Sequence, residues 1–167
     1  MFKGKTPIID ILKEKYMSKQ LIIADARPIF GTNFTGAKGR YNPAGNRTFN
    51  VELTQEQADE LSEQGWNVKY HEPTSEEFDP AYYLAVKINY NEYGGPNITM
   101  VTSLTGHQVP LTEQTVGILD SKRILNMDLI INPYNWEMNG ATGTSAYLET
   151  LYATVEEDPF FSKYNVE

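Results

Sequence analysis

The sequence predicts a mostly β protein, a small barrel of about five strands with extra strands and two or three short helices. Three observations carry that expectation. Apolar residues come in short, strand-sized runs such as Leu21-Ile22-Ile23-Ala24 and Leu129-Ile130-Ile131. Turn-forming Gly, Pro and Asn recur at short spacing between those runs. Only brief segments carry helix-start chemistry.

Thr6-Pro7 followed by Ile8, Leu12 and Tyr16 reads as a short amphipathic helix with Thr6 as N-cap. Leu21–Phe30 is the first strand. Gly31–Asn46 is punctuated by Gly31, Gly36, Gly39, Pro43 and Gly45, which sets it as a loop. Arg47–Leu53 returns as a strand, with Phe49, Val51 and Leu53 on one side. Thr54 and Gln57 form a capping box opening a short helix that stops at Gly65. Trp66–Tyr70 is a brief strand, followed by an acidic linker, His71–Pro80. Two more strands, Tyr82–Tyr90 and Ile98–Leu104, flank a turn at Gly94-Gly95-Pro96. Thr112–Leu119 reads as a helical turn. Arg123–Glu137 and Gly143–Val155 make the longest hairpin, closed around Asn139-Gly140. A sandwich is the rival architecture; the helical turn before the last hairpin favours an OB-like order.

The composition bounds the chemistry. No run approaches the ~20 apolar residues of a bilayer span, and the N-terminus offers no clean apolar signal-peptide core. With no cysteine, disulfides, thiolate metal sites and thiol catalysis are excluded. His71 and His107 stand in unrelated segments, so no metal or other cofactor is expected. There is no phosphate-cradling glycine loop of the GxxxxGK[ST] type and no nucleophile elbow. Asp120 and Asp128 are scattered acids among twenty-two. The expectation is a cytoplasmic binding protein, not an enzyme.

Charge is unevenly distributed. Residues 1–51 hold nine Lys/Arg against three acids, whereas residues 52–167 hold five against nineteen, for a net charge of −8. The stretch 26–51 contains no acid at all, as a phosphate-binding face or a merely solvated loop would. Residues 27–49 also interleave cations with aromatics: Arg27, Phe30, Phe34, Lys38, Arg40, Tyr41, Arg47 and Phe49. Single strands are held in this way, by cations on phosphates and rings under bases. Asn33, Asn42 and Asn46 add neutral hydrogen-bonding groups. The parity of Phe49 with Val51 and Leu53 favours the core, and Phe30 shares parity with Ile22 and Ala24. Tyr134 and Trp136 lie on one side of a strand together with Ile130, which leaves core burial and base stacking both open. Arg40 and Tyr41 are the hardest to place in a core.

The run Phe-Gly-Thr-Asn-Phe-Thr-Gly-Ala-Lys-Gly-Arg-Tyr-Asn-Pro-Ala-Gly-Asn-Arg-Thr-Phe, residues 30–49, resembles a stretch of a family of phage single-stranded DNA-binding proteins. Further similar segments are Gly65–Tyr70, Val116–Asp120, Asp128–Glu137, Ala146–Leu148 and Val155–Asp158, in the same order over about residues 20–158. The resemblance implies an OB-like fold, no catalysis, and protection of single strands in replication or recombination. It points to Asn33, Phe34, Lys38, Arg40, Tyr41 and Arg47, and to Tyr134 and Trp136, as nucleic-acid-binding positions, which join Arg27 from the charge pattern. Residues 20–155 form the binding domain and 1–19 an extension beyond the shared region. The tail 156–167 carries Glu156, Glu157, Asp158, Phe160 and Phe161. It is similar to the acidic, Phe-ending tails that recruit replication or recombination partners, although six residues follow the motif; a solvated terminus is the alternative. Two other functions fit the composition: an acidic protein-binding module that mimics DNA or docks a host factor, and a phage structural component.

Overall fold

A computed structural model describes residues 19–40, 42–73 and 79–160. The predicted N-terminal helix and the middle of the acidic linker lie outside the described residues. Among the described residues nine strands and two short helical elements follow one another: β1 (Leu21–Ala26), β2 (Pro28–Asn33), β3 (Arg47–Leu53), α1 (Gln55–Glu63), β4 (Val68–His71), β5 (Ala81–Ile88), β6 (Asn97–Thr102), β7 (Gln108–Leu111), a 3-10 turn (Val116–Ser121), β8 (Ile124–Met138) and β9 (Ala141–Val155).

The sheet runs β1-β8-β9-β5-β3-β2, with β4 added to β5 and the β6–β7 pair added to β9. No ladder joins β1 to β2, yet only Arg27 separates them in the chain. β1 pairs with β8 and β2 pairs with β3, so the circuit returns on itself through the backbone at Arg27. This is the partly open, OB-like barrel that the turn spacing predicts. Sequence parity had made Leu21–Phe30 one strand ending before a loop. It is instead two, because the chain must change partners: the β1–β8 register shifts between Ile23 and Ala26, and Asp25 takes a positive φ of 55°. Pro28, lacking an N–H, begins the new segment.

Local signals fix the other elements. Thr54 accepts from the Gln57 amide at 3.1 Å while Gln57 accepts from the Thr54 amide at 2.9 Å, the reciprocal cap that starts α1. Gly65, at φ +94°, ends that helix and lets Trp66 turn back to bond the Leu61 carbonyl. Asn139 and Gly140 both take positive φ, as a two-residue hairpin with the right twist requires. The helical turn falls at Val116–Ser121 rather than 112–119, and β7 stands where no strand was expected. That strand is short, contains Pro110 and pairs with β6 at a sheet edge, the place where Pro is tolerated.

Inside the barrel, Phe49, Val51, Val86, Leu129, Ile131, Leu151 and Ala153 meet Val116 and Leu119 of the 3-10 turn. The β8–β9 register shifts where Ile130 opposes Thr150 and Ile131 opposes Leu148, leaving Glu149 as an extra residue. This bulge resets parity, so Leu148 and Leu151 both point inward. At the same place β9 changes neighbour, from β5 at residues 146–147 to β6 at 150–155.

Candidate nucleic-acid interface

The basic loop between β2 and β3 is built from within. The Asn33 side-chain Oδ1 accepts from the Gly36 and Ala37 amides and its Nδ2 donates to the Ala37 carbonyl. Asn42 donates to the carbonyls of Ala37, Pro43 and Asn46. Asp120, at the end of the 3-10 turn, anchors the loop's first residues. It accepts from the Thr32 hydroxyl (2.7 Å), the Phe34 amide (2.9 Å), and the Thr35 amide (2.8 Å) and hydroxyl (2.6 Å). Burial raises its pKa, but those bonds outweigh burial and hold the carboxyl below its ordinary value. At the tip, Gly39 and Asn42 exchange backbone bonds, and Lys38 and Arg40 are exposed.

Three predicted contact residues therefore do something else. Phe34 is fully buried and stacked on Phe49 with ring centroids 5.1 Å apart, so it is core and offers no face to a base. Arg47 donates to the Phe34 carbonyl, lies 3.6 Å from the Glu113 carboxylate and covers the Tyr90 ring. Its guanidinium pins the loop's return. Asn33 shapes the turn with its own amide. Tyr41 lies outside the described residues.

Register brings the outer surface together. One rung crosses five strands: Asn33 opposes Thr48, Thr48 opposes Lys87, Lys87 opposes Tyr147, and Tyr147 opposes Asn132. At ~4.8 Å per strand it spans roughly 19 Å. Lys87 Nζ sits 5.8 Å from the centre of the Tyr147 ring, and Tyr134 meets that ring edge-on at 5.8 Å. Tyr134 is 58% exposed, which decides against the core. Trp136 is half-buried, its indole lying over Gly143 so closely that a Cβ there would come within 2.4 Å of the ring. The rung thus links the loop carrying Lys38 and Arg40 to the Tyr134–Trp136 hairpin. Lys87 and Tyr147 escaped the sequence reading, because nothing local marks which residues register makes neighbours.

A second aromatic group lies further along the same outward side of β5. Phe30, 52% exposed, meets His71 edge-on at 4.9 Å and Tyr83 at 5.1 Å. Its φ of +67° is rare for a bulky residue and costs of order 1–3 kcal/mol. Lys69 and Glu52 flank Tyr83 on the adjoining strands, and exposed Arg27 precedes Phe30 by three residues. Arg27 belongs with this group rather than with the loop. Parity with Ile22 and Ala24 had pointed Phe30 inward, but Ile22 and Ala24 are themselves exposed and the inward residues are Ile23 and Ala26, so the shared parity is that of the outer side.

The tail begins far from the hairpin tip. Glu156 pairs with Arg123 at 3.4 Å. The Glu157 carboxylate accepts from the Leu104 and Thr105 amides and the Thr105 hydroxyl, and the Glu157 amide donates to Ser103. Asp158 accepts from the Phe160 amide, Phe160 is exposed, and Phe161 lies outside the described residues. Among the described residues no cluster of His, Cys, Asp and Glu could hold a metal, and no helix is long and apolar enough to cross a membrane.

The family model described as "Putative phage ssDNA-binding domain" matches residues 11–166. Among solved structures, the chain is similar to the single-stranded DNA-binding protein of bacteriophage Enc34 in a C-terminally truncated form. The TM-score is 0.53 at 10% identity, over 87% of this chain and 90% of that one. It is similar also to the same Enc34 protein in complex with ssDNA, with TM-score 0.53 and 9% identity over 87% and 91% of the two chains. At such identities the likeness is one of fold. No curated protein matches.

Proposed function

We propose that this chain, which belongs to the phage ssDNA-binding domain family, coats single-stranded DNA without reading its sequence as a whole. It does so in phage replication and recombination, in the host cytoplasm, by binding alone and without catalysis. The observation that carries the reading is the outer rung joining the basic loop to Lys87, Tyr147 and Tyr134. Cations at the loop end (Lys38 and Arg40) and in the middle (Lys87) of the track meet phosphates, and the rings of Tyr147 and Tyr134 lie where bases can stack. The acidic net charge sits elsewhere and keeps the body soluble. Exposed Asp158 and Phe160, beyond the anchored Glu157, give a replication or recombination partner something to grip.

Fluorescence titration with poly(dT) and with duplex DNA at several salt concentrations tests this. Binding through about four phosphates gives a log–log salt slope near −3 for single strands, at roughly −0.7 per contact. Lys87→Ala lowers the slope by about one contact, while Tyr147→Ala lowers affinity and keeps the slope. A slope near zero, or equal affinity for duplex, would sink the reading.

A further inference from the structure

The β8–β9 bulge turns Glu149 toward a cavity of about 340 Å³ beside the rung, lined also by Asn89, Asn91, Asn97, Asn132 and Tyr147. That volume lies at the small end of ligand pockets. Bulges re-aim side chains in this way next to binding sites. A chain of hydrogen bonds fixes the polar groups. Gln20 Nε2 donates to Asn132 Oδ1 at 2.8 Å, and Asn132 Nδ2 donates to Glu149 Oε1 at 2.6 Å. A carboxylate can only accept, so this order dictates the Asn132 amide orientation. It leaves a carboxylate acceptor beside the second Asn132 amide hydrogen, next to an aromatic ring on the proposed DNA track.

A carboxylate here repels phosphate, so what it suits is a base that donates. We propose that the cavity admits one nucleobase of the bound strand by an edge that pairs an exocyclic amino donor with a ring-nitrogen acceptor. Cytosine and adenine carry that edge. On their Watson–Crick edges thymine and guanine present its inverse, a carbonyl acceptor beside a ring N–H, and the amino group that guanine carries beside N3 lies on the sugar side. Glu149 accepts from the amino group, Asn132 donates to the ring nitrogen, and Tyr147 supports the base. The chain therefore coats any sequence while favouring amino bases at one nucleotide position. The inference rests on the DNA-binding reading.

The test compares binding of the whole chain to equal-length oligo(dC), oligo(dT) and an oligomer of 2-pyrimidinone nucleotides, which lack the exocyclic amino group. Oligo(dC) is expected to bind roughly tenfold more tightly than oligo(dT), the lower range for one two-bond base contact. The 2-pyrimidinone strand loses that advantage in the unaltered protein, whatever a variant does to folding. Strands alternating dT with dC or with dA show which amino base gains more. Glu149→Gln is expected to weaken oligo(dC) and tighten oligo(dT), because a repelling charge is gone and the new amide can donate to a thymine carbonyl. Equal binding of all three strands by the unaltered chain overturns the proposal. So does a variant that loses both affinities in parallel with their ratio kept. If no strand binds, the DNA-binding reading falls, and the cavity's role with it.

Discussion

Asp120 shows how much one side chain can organise. Its carboxylate joins the 3-10 turn to the first residues of the basic loop through four bonds. Because its folded-state pKa is lowered, it contributes stability above the ordinary aspartate range, and that contribution is lost as pH falls through about 4 toward the folded value. Asp120→Asn should cost about 1–2 kcal/mol at neutral pH, the low end for charged acceptors because this carboxylate is only partly buried and water still reaches it. The cost should fade in acid. Urea unfolding at neutral pH and near pH 3 checks this: a difference between variant and parent that is the same at both pH values would exclude the carboxylate as its source. Phe30 presents the opposite case, a residue held against its backbone preference. Asn tolerates a left-handed φ far better than Phe. Phe30→Asn should therefore leave the melting temperature nearly unchanged, with strain relief of ~1–3 kcal/mol offsetting two lost ring contacts of ~0.5–1.5 each. Affinity for poly(dT) should fall roughly tenfold, as the loss of one stacked base does. An unchanged affinity with a lower melting temperature would make the ring a purely structural clamp.

Elements with local signatures are legible in the sequence itself. Arg47–Leu53 begins and ends where alternation places it, and the Thr54 cap and the Asn139-Gly140 turn fall at the expected residues. Each depends on a few neighbours in the chain. The features that escaped depend on partners far away. The bend at Arg27 exists because one strand must serve two neighbours, β8 and β3, and no local residue announces that exchange. The burial of Phe34 follows from Phe49 and from Asp120 drawing the loop's start inward, so a glycine-rich context read as surface hid a core ring. Lys87 and Tyr147 look like ordinary strand residues until register sets them side by side. Lys38 and Arg40 were readable because exposure of a glycine-punctuated basic loop is itself a local property. The same division runs through the candidate site: Lys38, Arg40 and Tyr134 were marked in the sequence, whereas Lys87 and Tyr147 were set beside each other by the sheet.

At the scale of the whole molecule, positive and negative charge are held at different places. The acid-free stretch forms β2, the loop and most of β3, while the acidic tail leaves from the end of β9, fourteen residues from the hairpin's first residue and so up to ~46 Å along the strand. Removing residues 156–167 takes away the Arg123–Glu156 pair and the Glu157 bonds to Ser103, Leu104 and Thr105. A loss of about 1–2 kcal/mol is expected from these exposed interactions, hence a melting temperature lower by roughly 2–8 °C for a chain of this size. Stopping the chain after Asp158 should spare that stability, because the anchor remains. The deletion also moves the net charge from −8 to −5, since it takes four acids and one lysine. DNA affinity should therefore rise modestly at low salt, where the protein's field is least screened. The slope of log affinity against log salt counts phosphates neutralised by cations that the deletion leaves in place, so it should not change. A tail lying on the DNA track would behave differently. Phosphates would then displace acids already paired with those cations, fewer counterions would be released from the full chain, and deletion would steepen the slope. Salt titrations of the two truncations beside the full chain separate these cases: an unchanged slope with a lowered melting temperature identifies the tail as an anchored strap, and a steeper one identifies it as a competitor for the strand.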